Sequence, residues 1–257
     1  MRLVCVLLVG LLLIGCSSGI YKVPKEKYRS QVKTLGILPI IVDEDSAINH
    51  SQRAEVVSLL RRTAVGKLES AIETLRKKKG YFDVRYVGED PQKLLQQLIV
   101  APIPPATETG RSSGYYYSAT AAKRLAEQKV VDALLVVVLA GVEHQEKRRS
   151  RNKLETLTTI YNDIIATAAV VDSRGKVLWE MAGEEAYPLL AMQYPDFDEA
   201  YFNRTEVVAL KEITLAGLER TLTVEQKENQ PPQLPVPYKE LIDKLIGGLS
   251  PNLFGSF

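Results

Sequence analysis

ALLVVVLAGV, residues 133–142, decides the fold of this 257-residue chain. A run of ten apolar or small residues, mostly valine and leucine, is too short to cross a bilayer as a helix, which takes roughly 20 residues. It is also too uniformly apolar for a strand with one wet face. It predicts the central strand of a sheet covered on both sides, entered through Asp132-Ala133. Just upstream, Ser118 is placed to cap a helix running to Gln128, as a serine before a periodic apolar stretch does. Downstream, the charged stretch 143–153 reads as a loop. Residues 154–172 then form a Thr-, Ile- and Val-rich strand of nineteen residues, several times the usual five or six. Such length predicts a bend or bulge near Asn162-Asp163, or an outer half that projects beyond the sheet. Asp172-Ser173-Arg174-Gly175 is a hairpin turn, and Val177, Trp179 and Met181 alternate in a half-buried return strand.

Farther out, residues 34–42 (TLGILPIIV) read as a buried strand with a kink or an end at Pro39. Apolar positions at helical spacing from Val57 to Leu75 predict one long amphipathic helix over 51–79, closed by Arg76-Lys77-Lys78-Lys79-Gly80. Residues 81–88 (YFDVRYVG) alternate as a strand, and Asp90-Pro91 opens a short helix to Leu98. The stretch 101–117 carries Pro102, Pro104, Pro105, Gly110 and Gly114 and reads as a long loop. Residues 206–224 read as helix, 225–237 as a Pro-rich linker, and Tyr238, Leu241, Ile242, Leu245 and Ile246 stripe a last helix. The expected fold class is α/β (α+β): a mixed sheet of about five strands, the last three an antiparallel meander, with helices packed on it.

At the N-terminus Arg2 precedes the apolar stretch Leu3 to Ile14, which is a signal-peptide pattern too short for a spanning helix. Leu13-Ile14-Gly15-Cys16 resembles the bacterial lipobox. That resemblance implies cleavage before Cys16, thioether lipidation of its sulfur and acylation of the new amino terminus, and two or more chains give stable anchoring. Ser17, in place of the aspartate that retains many lipoproteins on the inner membrane, favours the periplasmic face of the outer membrane by the same resemblance. Residues 1–15 are then leader, 16–33 a polar tether, 34–224 the domain, and 225–257 linker and terminal helix. Cys5 and Cys16 are the only cysteines, so the mature domain has no disulfide, thiolate metal site or thiol nucleophile. With 33 basic and 31 acidic residues, net charge gives no reason to expect nucleic acid.

Taken together, Ile37-Leu38-Pro39 in a first strand, Asp132-Ala133 before the central strand, and Asp172, Gly175, Lys176, Leu178 and Trp179 across the last hairpin resemble a known lipoprotein domain. It is the α/β domain at the N-terminus of TolB, in the curli secretion lipoprotein CsgG and in the penicillin-binding-protein activator LpoB. The resemblance covers about residues 34–224 and implies an envelope role in transport, secretion or wall synthesis. The chain departs from the curli channel: its candidate hairpin over 154–182 carries Glu155, Asp163 and Glu180, costly in hydrocarbon.

Catalytic motifs are missing from the sequence. His50 and His144 are far apart and without cysteine neighbours, so no zinc-ligand spacing exists and both read as structural or surface histidines. There is no G-x-S-x-G, H-E-x-x-H, P-loop or G-x-G-x-x-G. Asp196, Asp198 and Glu199 beside Tyr194, Phe197, Tyr201 and Phe202 could form a calcium loop or sugar platform, against a solvated loop anchored by its aromatics. Two stretches are candidate contacts. The basic run Lys147, Arg148, Arg149, Arg151 and Lys153 could meet anionic headgroups, lipopolysaccharide or an acidic partner, unless it is a solvated turn or is neutralised by the acidic stretch 184–206, which meander geometry brings to the same end. Tyr115, Tyr116 and Tyr117 could contact a partner or pack over the sheet edge. The expectation is a non-catalytic, membrane-anchored protein with envelope partners and no cofactor; the alternative is a subunit of an oligomeric secretion channel.

Overall fold

The computed structural model describes residues 20–78, 80–105, 114–152, 154–224 and 233–249. Its strands are β1 (Ile20–Tyr21), β2 (Thr34–Ile37), β3 (Ile41–Asp43), β4 (Asp83–Tyr86), β5 (Ile99–Pro102), β6 (Tyr115–Tyr117), β7 (Ala133–Arg149), β8 (Thr156–Asp172), β9 (Val177–Met181), β10 (Tyr187–Ala191), β11 (Gln193–Asp196) and β12 (Ala209–Glu212). The helices are α1 (Lys25–Gln31), α2 (Arg53–Ala64), α3 (Glu69–Lys78), α4 (Pro91–Leu98), α5 (Ala119–Lys129), α6 (Phe197–Phe202), α7 (Leu215–Leu222) and α8 (Val236–Gly248).

The class is mixed α/β, and β7 is the spine of its main sheet. Along β7, Ala133, Leu135, Val137 and Leu139 point into one apolar cluster and Leu134, Val136 and Val138 into another, which is why ten residues run without a polar side chain. The first cluster is closed by α1, α2, α3, α7 and α8, the second by α4 and α5. The order across the sheet is β1-β9-β8-β7-β2-β4, with β3 continuing β2 along β7 and β10 continuing β9 along β8. β4, β2 and β7 are parallel; β7, β8 and β9 form the expected meander.

Pro39 breaks the first strand as expected. Ile37 lies opposite Leu135 but Ile41 opposite Val138, so one extra residue has entered the β2–β3 line at the proline, which has no N–H to give the ladder. Over 51–79 the expected single helix is two. Val65 leaves helical geometry and Gly66 takes φ +69°, a left-handed conformation that suits glycine and turns the chain between α2 and α3. Gly141 is fixed by a close approach: a Cβ there would lie 2.4 Å from Ala47 O and Ile48 N, where the loop after β3 crosses β7.

Several boundaries are corrected. Residues 20–33, expected as tether, belong to the fold: Ile20 pairs with Glu180, and Tyr28 on α1 is fully buried and hydrogen-bonds Tyr81 hydroxyl to hydroxyl at 2.7 Å. Val23 and Val32, on either side of the helix, are buried in the same cluster as Tyr28. Residues 209–212, expected as helix, form β12 against β11, and Ile213 N donates to Met192 O at 2.8 Å, extending the pair. The terminal helix α8 is part of the same core through Tyr238, Leu241 and Leu245, and Tyr238 shares a hydrogen bond of 3.0 Å with Thr63 on α2. Cys16 and the other residues before Ile20, residues 106–113 of the expected loop, Lys153 and residues 225–232 of the expected linker lie outside the described residues.

Candidate functional site

β7 and β8 pair over all seventeen residues each, in unbroken register from Ala133 opposite Asp172 to Arg149 opposite Thr156. No bulge occurs at Asn162-Asp163; the alternative expectation, projection, is what the strands do. β3 stops at Asp43 opposite Ala140, and β10 stops at Ala191 opposite Asp163. Residues 143–149 and 156–162 therefore continue as a two-stranded ribbon. The charged stretch expected to be a loop from 143 to 153 is thus strand as far as Arg149, and the ribbon's second half is β7, not the short return strand β9.

Strand alternation sorts the basic run onto two faces. Gln145, Lys147 and Arg149, with Thr156, Thr158 and Ile160 opposite, form an exposed face. His144, Glu146 and Arg148, with Leu157, Thr159 and Tyr161 opposite, form the other. Arg148 is not available as a free surface cation. Its guanidinium donates to Asp163 Oδ2 at 2.5 Å, to Glu146 Oε2 at 2.9 Å and to Gln193 O at 2.6 Å, and it lies 3.9 Å from the centre of the Tyr161 ring. Burial alone would lower its pKa; the hydrogen bonds and charges of Asp163 and Glu146 outweigh that and hold it above the ordinary arginine value. The chain after the meander does return to this end, as expected: Gln193, Tyr194 and Asp196 line a cleft of about 610 Å³ with Arg148 and Arg149. The neutralising carboxylates, however, are Glu146 on β7 and Asp163 on β8.

Next to Arg148, His144 is buried with Nε2 3.6 Å from Asp163 Oδ2 and 3.9 Å from Glu146 Oε2. These three side chains have donor atoms within 4.8 Å of one another, close enough to hold a cation. Arg148 already stands between the two carboxylates, so the group is an ion cluster of the protein's own making. Its signal in the sequence was the i, i+2, i+4 spacing of His144, Glu146 and Arg148, which shares a face only if the stretch is a strand.

Beyond the cluster the ribbon ends in exposed Arg151 and Leu154, and α6 packs beside it. α6 starts because Asp196 caps it, accepting from Glu199 N at 2.9 Å. One charge of the acidic group is offset: Lys211 on β12 bridges Asp196, at 2.7 Å, and Glu199. Hydrogen bonding to Lys211 holds Asp196 below its usual pKa. Of the aromatics only Phe197 is buried; Tyr201 and Phe202 are 75 and 79 % exposed. The expected self-anchored loop is therefore half right.

The three tyrosines separate by the same alternation. Tyr115 is buried and donates to Asp43 Oδ2 at 2.7 Å; burial, then the Asp43 charge and hydrogen bond, push its pKa far up. Tyr117 is half-buried against the second core cluster, where burial and then Glu180 raise it also. Only Tyr116 faces solvent, so Tyr115 and Tyr117 are corrected from contact residues to packing residues. Tyr115 and Asp43 stand at the head of a cleft of about 590 Å³ between α4, β5 and the loop after β3. Both Asp43 oxygens are occupied, Oδ1 accepting from Asp45 N at 3.2 Å. His50 is structural: Nδ1 accepts from Gln52 N at 2.9 Å, which leaves Nε2–H to donate to Ile213 O at 3.0 Å.

No protein-family model matches this chain. No curated protein matches it either. Among the described residues no helix is long and apolar enough to cross a membrane.

Proposed function

We propose that the chain is a non-catalytic lipoprotein, held by Cys16 at the periplasmic face of the outer membrane and acting through contacts within an envelope complex for transport, secretion or wall synthesis. The observation that carries this reading is Leu13-Ile14-Gly15-Cys16 at the end of a short apolar leader. The early start of the fold supports it. Ile20 is already in the sheet, so three residues separate the anchor from the domain, and the four steps from Cys16 to Ile20 reach about 13 Å at 3.3 Å per residue. The domain would ride close to the bilayer. The likeness to the TolB, CsgG and LpoB domains supports the envelope role and rests on short motifs alone. Non-catalytic action fits the commitment of the clustered carboxylates and of His50 to partners inside the fold.

The test is mass spectrometry of the N-terminal peptide from the membrane fraction. A diacylglyceryl thioether and an N-acyl group on Cys16 are expected, with Cys16→Ser releasing the protein from the membrane; a mature terminus elsewhere would end the reading. A second reading, a subunit of an oligomeric secretion channel, draws on the projecting β7–β8 ribbon, whose edges beyond residues 140 and 163 are not taken by a strand of the main sheet. Against it, Lys147 and Arg149 on one ribbon face and Glu146 and Arg148 on the other leave no apolar band for lipid. Light scattering of the lipidated protein in detergent separates the two: a closed ring supports the channel, a monomer or dimer removes it.

A further inference from the structure

Three strongly exposed large apolar side chains gather at the end of the ribbon. Arg151 and Leu154 face Tyr201 and Phe202 across a cleft of about 650 Å³. Leu154 is 84 % exposed, and the exposed rings of Tyr201 and Phe202 pack edge to face with centres 5.8 Å apart. The pair is rigidly presented, since Phe197 roots α6 in the protein and Asp196 and Lys211 fix its first turn. Three large apolar side chains turned to water at one extremity mark a contact surface.

Charge identifies the contact. Lys147, Arg149 and Arg151 are exposed, and none makes an ion pair among the described residues, whereas Arg148 is consumed by Asp163 and Glu146. Nearby Asp196 and Glu199 share the single cation Lys211, and Glu155 and Asp198 are the carboxylates there with no ion pair among the described residues. We propose that the ribbon end and α6 form a peripheral membrane-docking tip for an anionic phospholipid bilayer. Leu154, Tyr201 and Phe202 enter the boundary between headgroups and acyl chains while Lys147, Arg149 and Arg151 pair with lipid phosphates. Aromatic rings with a wet edge suit that depth.

Geometry adds a consequence. Ile20 pairs with Glu180, which pairs with Ala169, and Thr156 is thirteen residues farther along β8, about 43 Å at 3.3 Å per residue. With an anchor near Ile20, docking at the far end lays the ribbon along the bilayer; this orientation alone rests on the lipoprotein reading.

The chain begun at Ser17 lacks the lipid and the leader but keeps every described residue of the fold, so its binding reports the tip. It is sedimented with vesicles of phosphatidylcholine alone or with about one third phosphatidylglycerol. Binding to the anionic vesicles only is expected, weakened by salt. Arg149→Glu with Arg151→Glu, and separately Tyr201→Ser with Phe202→Ser, should each weaken it at least tenfold, since one basic residue near an anionic surface accounts for roughly fivefold. Unchanged thermal midpoints would show that these exposed positions leave the fold intact. Equal binding to neutral vesicles, no binding, or variants that bind as the parent does would overturn the proposal. A protein crosslinked to the parent tip but not to the variants, without vesicle binding, would also overturn it and assign the tip to a protein partner.

Discussion

Arg148 and Arg149 are neighbours in sequence and opposites in role. Removing the Arg148 head leaves Asp163 buried beside Glu146 without its counter-charge, so Arg148→Met should cost about 3 kcal/mol, while Arg149→Ala should stay within about 0.5 kcal/mol; urea denaturation of both variants measures this. At Gly141 the neighbours are backbone atoms that cannot rotate away, so Gly141→Ala should destabilise by about 1–3 kcal/mol in the same assay. Burial first, and then neighbouring charges and hydroxyls, raise the pKa of Tyr28 and Tyr115 well above the usual tyrosine value. A raised folded pKa gives stability that is complete below about pH 10 and is lost as pH rises toward the folded value. Tyrosinate absorbance against pH should therefore show one set of tyrosines ionising early and a second set appearing only with unfolding. None of these distinctions could be read from residue type, because each depends on which face of its strand or helix a residue occupies and what packs over it.

At the scale of elements, strands and helices with a strong apolar signature were legible, and those set by partners were not. β8, β9, α4 and α5, and β7 as far as Val142, lie where pattern and caps placed them; Asp90 and Ser118 do accept from Gln92 N and Ala121 N. β12 was misread because its short polar strand carries no period of its own and exists through its ladder with β11 and the bridge of Lys211 to Asp196. The same holds for α1, whose only fully committed side chain is Tyr28. Replacing it should discriminate between tether and core element: Tyr28→Ala is expected to cost about 3–5 kcal/mol, read by thermal or urea unfolding, whereas a tether residue would change nothing.

Across the whole molecule, acidic pH should weaken the fold in a narrow range. Hydrogen bonds from Ser51 hold Glu212 below its usual value, and at Asp172 the Arg174 side chain and the N–H groups of Lys176 and Arg174 outweigh the opposing effect of burial. Depressed folded values mean that this stability is present above the unfolded carboxylate pKa, about 3.9 to 4.3, and is lost as pH falls through the folded pKa. Urea midpoints should be level from about pH 5 to 7 and fall below about pH 4; a decline already at pH 6 would point to a histidine instead. Removal of α8 should unfold the domain, because Tyr238 and Leu241 close the same cluster as Trp179; circular dichroism of a chain ended before Gln233 tests it.

By itself the sequence determined the mixed α/β class, the doubly covered central strand, the meander and the break at Pro39, since each follows from local periodicity or a proline's missing N–H. Tertiary structure alone decided that Arg148 is bound inward while its neighbours stay free, that Tyr115 and Tyr117 are covered, and that Leu154 faces Tyr201 and Phe202 across a cleft at the ribbon end. The physical reason is distance along the chain. Arg148 and Asp163 come together only through strand register, and register is a property of two segments that neither contains alone.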